Sequence, residues 1–130
     1  MDAPLDLPEE FVNHVREICL ALPEVATRVD ESQSPARSTA YVFDVRRRPF
    51  CTLIAAQNRN GRARTMVVLR ARPGERAALI AAGAPFFAPR GAPDRLGILV
   101  SAGTDWMEVR ELVTESYRLI APKKLTALID

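Results

Sequence analysis

Residues 41–69 read YVFDVRRRPFCTLIAAQNRNGRARTMVVL, and this stretch decides the fold. Tyr41-Val42-Phe43-Asp44-Val45 alternates, which places Tyr41, Phe43 and Val45 on one face of a strand and Asp44 on the other. Arg46-Arg47-Arg48-Pro49 reads as a turn, and Phe50–Ala55 as the next strand. The Asn60-Gly61 pair within Asn58–Arg62 favours a tight hairpin, because both central positions of such a turn need positive φ. Thr65–Leu69 then pairs back. The result is an antiparallel meander with arginines at its turns and strand ends.

Working outward, a helix is predicted from Pro8 to Leu22. Phe11, Val12, Val15, Ile18, Cys19 and Leu22 recur on one helical face, Asp6 and Glu9 are spaced like a capping box, and Pro23 stops it. Glu24–Ser38 is polar, with a short strand at Val25–Val29. A second helix runs from Pro73 to Gly83, the Pro-at-start and Gly-at-end asymmetry. Pro85–Asp94 reads as a loop, and Leu96–Val100 as an apolar strand inside the sheet. Asp105 caps the last long helix, with Trp106, Val109, Leu112, Val113, Ser116 and Ile120 inward, Trp106 as a core anchor, and Pro122 at its end. The order α-β-β-β-β-α-β-α describes an α+β protein, a helix-flanked antiparallel β-sheet, expected to form a single domain over residues 1–130.

Composition narrows the function. The 130 residues carry a formal charge of +2, with 18 basic and 16 acidic side chains. The distribution is uneven: residues 1–36 hold two Arg and eight acids, whereas residues 37–76 hold ten Arg against Asp44 and Glu75. Apolar stretches fall far short of the roughly 20 residues of a membrane helix, and the acidic start is unlike a signal peptide, so a cytoplasmic protein with no membrane partner is expected. Cys19 and Cys51 fit that compartment as small buried hydrophobes, a disulfide between them being the alternative. His14 reads as solvent-exposed, and one histidine without paired cysteines cannot assemble a metal site. Glu9, Glu10 and Glu17 form a solvated acidic face. No nucleophile elbow, P-loop or dinucleotide fingerprint is present, so neither enzymatic activity nor a cofactor is expected.

The basic meander carries the functional expectation. Arg46, Arg47 and Arg48 occupy one turn, Arg59, Arg62 and Arg64 occupy or flank the next hairpin, and Arg70 and Arg72 close the third strand. A ribbon bearing guanidinium forks at its tip suits duplex DNA, where each fork can bond phosphate or a guanine edge. Turns also collect arginine simply because they are exposed, and the spacing alone leaves both readings open. The alternative function is a small-molecule or protein-interaction module using the Phe86–Asp94 loop and the sheet edge.

Asp105-Trp106, followed by Glu115-Ser116-Tyr117-Arg118-Leu119-Ile120-Ala121-Pro122-Lys123-Lys124-Leu125, resembles the ending of MmcQ/YjbR-like proteins. Ile18–Val25, Pro73–Ile80 and Pro85–Pro89 are similar to their opening helix, middle helix and following segment. The resemblance implies a CyaY-like arrangement and DNA binding through a double wing of hairpins. The chain departs from that pattern at Gln33–Ser38, where relatives carry an aromatic-Gly-His-Pro segment, and at Arg95-Leu96-Gly97, where they often have Gly-Trp. Ligand specificity is therefore not carried over.

Overall fold

The computed structural model describes residues 7–32, 37–57 and 62–130. Helix α1 (Glu9–Leu20) is followed by four strands, β1 (Val25–Ser32), β2 (Ser38–Val45), β3 (Arg48–Gln57) and β4 (Ala63–Arg70). Then come α2 (Pro73–Ala82), β5 (Phe86–Phe87), β6 (Arg95–Leu99), α3 (Trp106–Ile120) and α4 (Lys123–Thr126). All pairings are antiparallel, in the order β1-β2-β3-β4-β6-β5. This is the helix-flanked antiparallel sheet that the meander and the helix spacing predict.

Register assigns the faces. Tyr41 lies opposite Leu53, Leu53 opposite Val67, and Val67 opposite Ile98. Leu53, Val67 and Ile98 are buried with Phe43, Cys51, Leu69 and Leu96 beneath α1 and α3. From α1 come Val12, Val15, Ile18 and Cys19, and from α3 come Val109, Leu112, Val113 and Tyr117. The other face carries Thr52, Ile54, Met66, Val68 and Leu99, all half-buried. β6 lies between β4 and β5, inside the sheet, as its unbroken apolar run predicts.

Several boundaries differ from the sequence reading, each for a local reason. Pro8 is the N-cap of α1 rather than its first residue, and α1 ends at Leu20. Asp6, the other half of the expected capping box, and Asn58–Gly61, including Arg59, lie outside the described residues. β1 extends to Ser32 rather than Val29; its last seven residues are exposed, so no alternation of apolar side chains marks it. β5 is only two residues long, too short for any periodic signal, and falls in the expected loop. Arg48 and Pro49 open β3 instead of belonging to the turn, since Val45 pairs directly with Arg48. Asp105 does cap α3, its carboxylate accepting from the backbone N–H of Met107 and Glu108.

Aromatic placement also departs from expectation in two places. His14 is half-buried and stacks flat on Trp106 with ring centroids 4.4 Å apart, instead of standing free in solvent. Trp106 is itself half-buried, so it seals the α1–α3 seam at the surface rather than anchoring the core. The anchor is Tyr117, fully buried, edge-on to Phe50 at 5.4 Å, with its hydroxyl donating to the Pro23 carbonyl at 2.8 Å. Cys19 and Cys51 are both free and buried, neighbours across the α1–β3 contact. Burial first, then the neighbouring Cys51, push the Cys19 thiol far above its ordinary range, which keeps it protonated.

Candidate nucleic-acid interface

A meander reverses direction at every turn, so successive turns lie at opposite ends of the sheet. The described arginines divide accordingly. Arg46, Arg47 and Arg48 sit where β2 turns into β3, beside Arg70 at the end of β4, Arg72 after it, and Arg95 at the start of β6. Arg62 and Arg64 flank the start of β4, at the far end of the ten-residue β3, roughly 30 Å away. Two adjacent hairpins therefore do not present one common arginine tip. Five of the predicted site residues share one end of the sheet and two stand at the other.

The turn at the richer end has an unusual backbone. Only two residues, Arg46 and Arg47, connect paired Val45 and Arg48, and both have positive φ, 50° and 66°. Two successive positive φ values are the hallmark of the tight hairpin turn that Asn-Gly normally fills. An L-residue with a full side chain loses roughly 1 kcal/mol or more in that region. Glu24, between α1 and β1, is likewise at φ 57°. It lies against the same turn: Arg46 donates from Nε and Nη2 to its two carboxylate oxygens at 3.0 and 3.3 Å. That fork-to-carboxylate pair engages Arg46, whereas Arg47 is exposed.

α3 fastens this end from beneath. The fully buried Ser116 hydroxyl donates to the Phe50 carbonyl at 2.6 Å and accepts the Arg70 backbone N–H at 2.9 Å. One side chain thus bridges β3 and β4 where they leave the core. The neighbouring Tyr117 hydroxyl ties down Pro23, next to Glu24. Burial raises the pKa of this phenol, and Glu24 adds to the rise while Arg46 offsets part of it.

The arginines here differ in how tightly they are held. Arg70 is mostly buried, and its Nε donates to the Pro49 carbonyl at 2.9 Å. Burial lowers its pKa, and the neighbouring Arg95 and Arg48 add to that, so positive charge is crowded at this end. Asp94 is the local counter-charge: Arg95 Nη1 reaches it at 2.5 Å and Arg70 Nη1 stands 3.8 Å away. Partial burial acts against ionising Asp94, but the two guanidinium groups overcome it and hold its pKa below the usual carboxylate range. Arg76 donates to the Arg95 carbonyl at 2.7 Å. The side chains of Arg47, Arg48 and Arg72 are exposed and make no ion pair or hydrogen bond among the described residues.

The Phe86–Asp94 segment is built differently from the pocket expected there. Phe86 and Phe87 are half-buried as β5, and the Phe87 ring lies on Gly97, so close that a Cβ there would stand 2.4 Å from it. A shallow cavity of about 240 Å³ opens nearby, lined by Pro85, Leu99, Ser101, Thr104, Asp105 and Glu108, among others; Phe86, Phe87 and Arg90 do not line it. No group of three or more metal-ligating side chains occurs among the described residues, and none of their helices is long and apolar enough to cross a membrane.

The YjbR family model matches residues 20–119, most of the chain and all six strands. The chain belongs to the YjbR family. No curated protein and no solved structure matches it. Within this YjbR protein the matched span covers the β2–β3 turn, Arg70 and Arg72, and the Ser116 and Tyr117 positions that support them. Sequence reasoning found the arginines but missed Glu24, Ser116 as a polar bridge, and Tyr117. Tyr117 carried a legible signal, since it falls four residues after Val113 on the inward stripe. Ser116 read only as a small gap.

Proposed function

We propose that this YjbR protein binds duplex DNA through phosphate contacts made at one end of its sheet by Arg47, Arg48 and Arg72. Arg46 and Arg70 hold the shape of that end, and catalysis is no part of the role. The supporting observation is the β2–β3 turn, where two arginines occupy both positive-φ positions at a cost that Asn-Gly would avoid. Retaining them there favours a use for their side chains over a preference of the backbone. Arg48 and Arg72, exposed and without acidic partners, enlarge the same positive surface. Phosphate is the target such groups fit best, because a guanidinium fork bonds it in pairs while staying charged. No exposed aromatic interleaves them, so stacking on unpaired bases is not favoured.

Fluorescence anisotropy on a labelled duplex tests this proposal. Arg47→Ala/Arg48→Ala/Arg72→Ala is expected to weaken binding at least tenfold at low salt, and Arg64→Ala, at the other end, less than threefold. Equal losses from the two ends would contradict the placement.

A further inference from the structure

β1 forms one edge of the sheet: it pairs with β2 on one side, and no strand among the described residues pairs with it on the other. From Ala26 to Ser32 every residue is exposed, and Val29 stands out as a large apolar side chain 51% exposed. An open edge of that length offers its backbone donors and acceptors to another strand. The side chains decide which strand fits.

We propose that the β1 edge pairs antiparallel with β1 of a second copy of this chain, Val29 facing Val29 across a two-fold axis. Facing residues in an antiparallel pair must share a face of the sheet, which restricts a two-fold pair to registers centred on a residue. Centring on Arg28 sets two guanidinium groups against each other, and centring on Asp30 sets two carboxylates against each other. Centring on Val29 places each Arg28 opposite the other copy's Asp30, joins the two exposed valines, and aligns Ala26–Ser32 in full.

Arg28 and Asp30 are suited to that exchange. Within one chain they already touch, Nη1 to Oδ2 at 2.5 Å, on the sheet face that also holds Asp44. Both side chains are more than half exposed, so rearranging them across the axis desolvates little. Arg28 also donates from Nε to Asp44 of β2 at 3.2 Å, so that only its Nη1 contact with Asp30 has to be exchanged across the axis. A single strand pair is a small interface, and micromolar dissociation suits it. The proposal is independent of DNA binding, since β1 contributes none of Arg47, Arg48 and Arg72.

Sedimentation velocity of the full chain, without DNA, reads the association directly. At about 100 μM the wild type is expected to sediment at twice the chain mass. Val29→Lys and Val29→Glu each place like charges on the axis and are expected to sediment as folded monomers by circular dichroism. Mixed in equal amounts they are expected to re-form a dimer, because lysine then faces glutamate. Asp30→Arg, which opposes Arg28 to a second arginine, is expected to weaken association at least tenfold. A wild type that stays monomeric at that concentration overturns the proposal. So does a Val29→Lys protein that dimerises like the wild type, or a mixture that fails to associate.

Discussion

Ser116 shows how one small side chain can hold a functional end in place. Its hydroxyl joins a carbonyl of β3 to an N–H of β4 in a fully buried position. Ser116→Ala leaves both partners without a bond and is expected to cost about 2–4 kcal/mol, measured by urea unfolding. Tyr117 adds a pH signature. Its folded pKa is raised, chiefly by burial, so the protonated phenol contributes stability that is complete below the unfolded value near 10 and is lost as pH rises through the folded one. Tyr117→Phe is therefore expected to flatten the alkaline limb of stability against pH while losing about 1 kcal/mol at neutral pH with the Pro23 bond. An unchanged alkaline limb would place the titration elsewhere.

At the scale of elements, the β2–β3 turn sets stability against use. Arg47 has positive φ and no partner among the described residues, so Arg47→Gly is expected to stabilise the fold by about 1 kcal/mol and to weaken DNA binding together. Paired thermal melts and anisotropy measure both quantities on one protein. A second element-level test lies at the opposite edge, where Phe87 covers Gly97. Gly97→Ala forces that ring off the sheet and is expected to cost about 1–2 kcal/mol; in a Phe87→Ala background the same change should cost much less. The central strands and α3 were legible because alternation, helical spacing and a capping aspartate all agree there. β1 was only half legible because an exposed edge strand carries no apolar period, and β5 was not legible because two residues form no pattern.

For the molecule as a whole, charge placement matters more than total charge. A meander sends alternate turns to opposite ends, so Arg46–Arg48 and Arg62–Arg64 were bound to separate, a consequence of topology that the local clustering of arginine conceals. The end beside α2 gains Arg70, Arg72 and Arg95, which are brought to the turn by strand pairing rather than by sequence proximity. Part of that charge is neutralised by Glu24 and Asp94, and the exposed remainder rests on Arg47, Arg48 and Arg72. Among the described residues, the arginines of this end form their ion pairs with Glu24, from the turn after α1, and with Asp94, and none with an acid of α1. The measurement closest to this claim is the dependence of duplex affinity on salt between 50 and 200 mM. Three phosphate contacts predict a slope of about −3 in log K against log salt, reduced to near zero in Arg47→Ala/Arg48→Ala/Arg72→Ala. No detectable binding by the wild type at 50 mM salt, or a slope that survives the triple substitution, would contradict it.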